Sequence, residues 1–273
     1  MLFRSEVGGL LDTILGRLSK HIEKAMKLKS QIKSAMVYPA AICGIAAIVI
    51  TVLMIWVIPV FEKMFKEMSG GKMALPAPTQ LVIDMSNFAQ SYWFIILGAI
   101  IGGVIVFKKY YATAQGRLTV DKLVLKLPVF GDLIRKASVA KFTRTLGTLI
   151  TSGVPLLEAL SICAKTAGNK VIENVLMDAR VSISGGKTIS EPLAKSETFP
   201  KMVTHMIAVG ESTGALDNML GKIADFYEDE VDAAVTNLTA LLEPMMMVFL
   251  GVTVGFIVIA MYLPIFTMAS AIG

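Results

Sequence analysis

Charged residues are missing altogether from three long runs of this chain, Ser34–Phe61, Met85–Phe107 and Pro244–Gly273. Each exceeds the roughly 20 apolar residues that an α-helix needs to cross a hydrocarbon core. The pattern therefore predicts three transmembrane helices, over 37–60, 86–107 and 241–264. The polar stretches between them keep a helical rhythm. Within 1–36, Leu11, Ile14, Leu15, Leu18 and Ile22 recur on one face, opposite the charges. Within 108–240, proline and glycine cut the rhythm into Thr119–Leu127, Leu133–Ile150, Leu156–Thr166, Lys170–Ser184, Ser190–Lys195 and Pro200–Val209. A long helix then starts near Gly214 and heads for the third span. No stretch alternates as a strand does. The expected fold class is an all-α membrane protein, with three transmembrane helices and a bundle of six to seven helices at 108–240. A loop is expected at 61–85, where Ser69-Gly70-Gly71 and Leu75-Pro76-Ala77-Pro78 signal turns, and a tail at 265–273.

Much of this pattern is written twice. At an offset of 205 residues, without a gap, Glu6 falls on Glu211, Gly9 on Gly214, Leu11 on Leu216, Asp12 on Asp217 and Leu15-Gly16 on Leu220-Gly221. The register holds to the ends of the apolar runs, with Pro39 on Pro244, Pro59 on Pro264 and Phe61 on Phe266. Self-similarity at a fixed spacing points to a duplicated unit. Here the unit is a glycine turn, a charged amphipathic helix, a proline and an apolar run. Proline lacks a backbone donor, so kinks or helix ends are expected at Pro39, Pro59 and Pro244.

Composition strengthens the membrane reading. Only 17% of residues are charged and the mean hydropathy is +0.68, against about 25% charged in soluble domains. Arg17, Lys20, Lys24, Lys27, Lys29 and Lys33 crowd the approach to the first span, and Lys108-Lys109 follow the second. Basic residues flanking spans mark the cytoplasmic side, so the N-terminus and 108–240 are expected there, with 61–85 and 265–273 across the membrane. Gly98 and Gly102 form a GxxxG in the second span, and Gly251 and Gly255 form another in the third. Such pairs let helix backbones approach closely in lipid, so helix–helix contact is expected at these positions. The long helix carries Asp225, Glu228, Asp229, Glu230 and Asp232. An acidic run of this kind reads either as a solvated face or as a docking surface for a basic cytoplasmic partner.

Candidate chemistry is thin. Ser184-Gly185-Gly186-Lys187-Thr188 lacks the earlier glycine and preceding strand of a phosphate loop, since Val181 stands at the glycine position. His21 and His205 have no second ligand near them in sequence, and Cys43 and Cys163 form no paired motif. Ionisable residues approach the spans only at their edges, at Glu243 and Lys108, which weighs against a transporter or proton relay. No catalytic residue, cofactor or metal is expected, and the chain does not read as an enzyme.

Several short motifs accumulate along the chain: Tyr38-Pro39, Leu75-Pro76-Ala77-Pro78-Thr79, Leu127-Pro128-Val129-Phe130-Gly131, Phe142-Thr143-Arg144-Thr145-Leu146 and Ser152-Gly153-Val154-Pro155-Leu156. They continue with Phe199-Pro200, Val209-Gly210-Glu211-Ser212-Thr213-Gly214 and Glu243-Pro244. Taken together they make the chain resemble the inner-membrane platform family of type II secretion and type IV pilus assembly. Pro39, Pro128, Gly131, Gly153, Pro155, Pro200, Gly210, Glu211, Gly214 and Pro244 are the positions that carry the family pattern. The resemblance implies a non-enzymatic scaffold in the bacterial inner membrane, serving a hexameric assembly ATPase, a pilin or pseudopilin and other inner-membrane assembly proteins. It implies a homo-oligomer in contact with membrane lipid, without nucleic acid, and the 61–85 linker favours the pilus branch. The resemblance implies two cytoplasmic domains, of which residues 1–36 are expected to hold only the last helix of the first. The alternative class is a three-span transporter or channel component.

Overall fold

All three charge-free runs lie in long helices. The computed structural model describes residues 30, 34, 37–68, 75–196 and 198–272, and no strand occurs among them. The amphipathic pattern of 1–29, His21 and the Ser69-Gly70-Gly71 turn lie outside the described residues. The chain divides into two units, one taking in Tyr110–Leu238 and the other Ala35–Lys109 together with Thr239–Gly273.

In the apolar unit, helix α1 (37–52) passes through a π-helical stretch at Leu53–Val57 into α2 (Ile58–Met68). Helix α3 runs from Ala77 to Tyr111, and the C-terminal part of α10 (Leu216–Ile272) completes the set. Val37–Glu67, Ala77–Tyr111 and Leu216–Thr267 are each long and apolar enough to cross a membrane. Their large side chains point outward, including Phe94, Val106, Val252 and Ile259. That is the placement expected where hydrocarbon is the solvent.

The helices outrun the apolar cores. Most of 61–85, expected as a loop, is helical, because α2 continues to Met68 and α3 already starts at Ala77. Charge did not stop α2, since Glu62 and Lys66 sit one turn apart and pair at 2.6 Å. Pro78 falls in the first turn of α3, where a missing N–H costs nothing. The tail expected at 265–273 is likewise helical through Ile272. Helix α10 runs on through Pro244 and Pro264. The interruption in α3 comes at Tyr92 (φ −116°, ψ 17°), without a proline.

The other unit is a bundle around one core. Helix α4 (Ala114–Lys126) starts five residues earlier than its apolar rhythm, because the Thr113 side chain accepts the Gly116 N–H at 3.0 Å. Leu127 then turns extended ahead of Pro128. Helices α5 (Phe130–Thr151), α6 (Leu156–Thr166), α7 (Lys170–Ser184), α8 (Ser190–Lys195) and α9 (Lys201–Thr213) follow. Asn169 caps α7 by accepting from Val171 and Ile172. Buried Asp121 of α4 accepts the Lys170 N–H at 2.6 Å and ties the two helices together. Phe142, Leu146, Leu160, Leu176, Leu193, Ile207, Leu220 and Ile223 are almost wholly buried in one cluster, with Phe142 edge-on to Phe199 at 5.5 Å. Cys163 packs there as a small hydrophobe, and burial pushes its thiol up to about 12.

One helix end differs from the sequence pattern. Helix α9 passes Gly210 and stops at Gly214, whose φ of 71° is the left-handed conformation that closes many helices. Gly210 serves close approach instead. A Cβ there would stand 3.0 Å from the Leu216 Cα.

Candidate functional site

Two prolines shape the apolar unit through the backbone bonds they cannot make. In α10, Pro264 has no N–H to offer the Ala260 carbonyl, which is left without its helical donor. The Thr79 hydroxyl of α3 donates to that carbonyl at 2.5 Å. In the first span, the π-helical register carries the Ile58 N–H to Leu53 O. The next donor in that register would be Pro59, so Met54 O is the carbonyl left over. The Ser86 hydroxyl donates to it, and Gln90 Nε2 reaches Met54 O at 3.3 Å and Ile55 O at 3.5 Å. Pro59 and Pro264 are the pair superimposed by the 205-residue register.

One face of α3 thus serves both prolines. Thr79, Val82, Ile83 and Ser86 are its buried residues, spaced so that they share a side of the helix. Val82 and Ile83 pack with Ile58, Ile257 and Ala260. Beside them opens an apolar pocket of about 240 Å³, bounded by Phe61, Phe65, Leu75, Met261 and Pro264. The cluster joins all three spans. None of this was legible locally, because each donor and its carbonyl lie 32 or 181 residues apart.

The four glycines of the GxxxG pairs sit elsewhere. A Cβ at Gly98, Gly102, Gly251 or Gly255 would meet nothing within 4 Å. Among the described residues, no other helix comes within reach of a side chain at these positions.

The acidic run on α10 is largely engaged within the chain. Arg144 of α5 grips Glu228 with two hydrogen bonds, Nε to Oε1 at 2.7 Å and Nη2 to Oε2 at 2.9 Å, and reaches Asp225 at 2.5 Å. Burial alone would lower the Arg144 pKa; hydrogen bonds and charge from Glu228 and Asp225 outweigh it, and the net shift is upward. Lys136, eight residues earlier on α5, lies 2.9 Å from Glu230 and 3.0 Å from Asp132. Its pKa is raised, first by the hydrogen bond it donates to Glu230 and then by the one it donates to Asp132. Asp225, Glu228 and Glu230 therefore form a seam with α5, while Asp229 stands exposed and Asp232 half-buried. Arg144 lies 81 and 84 residues from Asp225 and Glu228, too far for sequence spacing to suggest the pairing.

The motif residues prove to be mainly turns and caps. Gly153 takes φ 80°, and Pro155 and Pro200 stand at the starts of α6 and α9. Glu211 accepts the N–H groups of Ile189 at 2.5 Å and Ser190 at 3.1 Å, capping the short α8 from a distance. At Gly131 a Cβ would lie 2.4 Å from Leu125 O, so only glycine fits the turn after Pro128. Pro39 is buried in α1, and α10 continues through Pro244.

Three long outward-facing apolar helices together with a close-packed helical bundle define a multi-pass membrane protein of all-α class. The chain matches the model of type II secretion system (T2SS), protein F, over residues 1–59 and 142–264. These two blocks end at Pro59 and Pro264. The chain is 53% identical over 267 residues to type IV pilus assembly protein PilC of Myxococcus xanthus, covering 98% of this chain and 63% of that protein. It is 40% identical to type IV pilus assembly protein PilC of Pseudomonas aeruginosa, covering 98% of this chain and 71% of that protein. Type II secretion system protein F of Xanthomonas campestris is 32% identical, over 100% of this chain and 67% of its own length. The chain belongs to the type II secretion system protein F family. It spans about two thirds of the length of these relatives.

Proposed function

We propose that this chain is a non-enzymatic platform of the bacterial inner membrane that couples a hexameric cytoplasmic assembly ATPase to the extraction and polymerisation of pilin. The observation that carries the pilus branch is the gradient of identity. Relatives named for pilus assembly are 37–53% identical to this chain, whereas those named as secretion protein F are 30–32% identical. Physical support comes from the layout. Lys108-Lys109 at the end of α3 supports a cytoplasmic location for 108–240 by the basic-residue rule. Helix α10 carries the Arg144 seam in its first half and Pro264 near its end, so a push on the bundle has a stiff element to travel along. The open faces at Gly98, Gly102, Gly251 and Gly255 suit another apolar helix, from pilin or from a second copy of the platform. Exposed Asp229 is the part of the acidic run best placed for a basic partner.

Photoreactive residues placed singly in the full-length protein in piliated cells test this reading. Position 229 is expected to give adducts with the ATPase, and positions 98 and 251 adducts with pilin or the platform itself. Adducts with neither ATPase nor pilin at any of them, in cells making pili, contradict it.

A further inference from the structure

Valine is a poor choice for the backbone that Val129 adopts. Its φ of 68° and ψ of −59°, with the Phe130 N–H bonded back to Pro128 O at 2.8 Å, form a three-residue γ-turn of the rare positive-φ kind. A β-branched residue is an outlier there. Glycine would take this turn without strain, yet the side chain present is apolar and half exposed. Strain of this kind persists where surroundings over-determine it, and often where something is recognised. The surroundings do fix it, because Gly131 abuts Leu125 O and donates to Leu127 O at 2.9 Å.

The turn does not stand alone. Leu123, Leu127, Val129 and Phe130 are 62%, 46%, 49% and 44% exposed, an apolar ridge along the outer side of α4 and its C-terminal turn. Lys122 and Lys126 are exposed on the same helix face. The only carboxylate of α4, Asp121, is buried and occupied by the Lys170 N–H and the Tyr111 hydroxyl. The exposed face therefore carries positive charge and apolar bulk with no acid. Chain connectivity says what meets it. Helix α4 begins three residues after α3 ends at Tyr111, and α3 ends through Lys108-Lys109, a membrane-interface signature.

We propose that the outer face of α4 and the Val129-Phe130 turn lie in the anionic headgroup layer of the membrane that α3 crosses. Lys122 and Lys126 face lipid phosphates, and Leu123, Leu127, Val129 and Phe130 reach the acyl boundary, as interfacial amphipathic helices do. The strained turn keeps the two apolar side chains beyond the helix end directed outward. This anchors the start of the bundle to the bilayer independently of the partners proposed above.

The test uses the full-length protein in vesicles of phosphatidylglycerol and phosphatidylethanolamine, or of neutral phosphatidylcholine, without other proteins. An environment-sensitive fluorophore is attached to a single cysteine replacing Leu123 or Val129, with Glu191 as the exposed control site, in a Cys43→Ala/Cys163→Ala background. Headgroup-depth quenchers on lipid are expected to quench positions 123 and 129 in anionic vesicles and leave 191 unaffected. Reversing Lys122→Glu and Lys126→Glu is expected to cut occupancy of the docked state roughly fivefold each. Equal access of aqueous iodide to 123, 129 and 191 in anionic vesicles overturns the proposal. So does protection at 123 and 129 that appears only when a cytosolic protein is added, which assigns the ridge to a protein partner. Lipid quenching unchanged by neutral lipid and by both charge reversals overturns the headgroup assignment as well.

Discussion

Replacing Thr79 with valine is expected to lower the stability of the full-length protein in detergent by about 1–2 kcal/mol, and changing Pro264 to alanine in the same chain is expected to abolish that loss. The magnitude sits between two limits. An unsatisfied carbonyl in hydrocarbon costs several kcal/mol, whereas hydrogen bonds between membrane helices have measured worths of about 0.6 kcal/mol on average and about 1.7 at most. Valine keeps the shape of threonine and removes only the donor to Ala260 O. With alanine at 264, a backbone N–H returns to that carbonyl, and the hydroxyl becomes dispensable. The first span gives a parallel expectation. Ser86→Ala weakens the cap on Met54 O, partly backed up by Gln90 at 3.3 Å, and the Thr79→Val/Ser86→Ala pair is expected to lose about 2 kcal/mol in all. Thermal unfolding of the four proteins in the Thr79/Pro264 cycle reads this directly. An equal loss with and without Pro264 would show that the hydroxyl does not serve the proline-freed carbonyl.

The second large effect is at Arg144. Truncation to alanine leaves Glu228, whose side chain is 15% exposed, without its two-pronged partner. Removing one member of a buried pair costs about 3–5 kcal/mol. The pair keeps 18% and 15% of its side-chain surface in water, which discounts the expected loss to about 2 kcal/mol, and Asp225 at 61% exposure adds little. Lysine is expected to recover only part of it, because a single ammonium cannot match both Glu228 oxygens and Asp225. Arg144→Ala combined with Glu228→Gln should recover more than half, since the stranded charge is then gone. These values come from denaturation of the intact protein in low salt, and the Arg144→Ala loss should shrink in high salt only by the minor Asp225 share. An Arg144→Ala protein as stable as the parent would remove the seam from the list of what holds α10 to α5.

The long-range terms separate what could be read in the sequence from what could not. Three spans were plain from the absence of charge, and α6, α7 and α8 begin and end where Pro155, Asn169, Gly185 and Ser190 place them. Glycine misled at position 210. The same residue type that ends helices also permits two of them to touch, and only the neighbour at Leu216 tells which applies. The 61–85 stretch misled for a related reason. Charges and prolines suggest a loop, yet pairing at Glu62–Lys66 and a first-turn Pro78 are both compatible with helix. The acidic run read as a solvated face or a docking surface because its basic counterparts lie on a distant helix. The capping of Ala260 O and Met54 O was hidden twice over, by distance along the chain and by the π-helical register ahead of Pro59. Motif glycines and prolines pointed to the family correctly, and the structure gives them physical reasons as caps and turns.

The most direct measurement is complementation. A bacterial strain lacking its own pilus platform gene would receive this protein from its full reading frame, alongside a parallel strain lacking the platform of type II secretion. Surface pili counted by electron microscopy are expected to return in the first strain, with no return of secretion in the second. A protein that inserts at normal levels and restores secretion but not pili would contradict the pilus assignment, and one that restores neither would contradict the platform role itself.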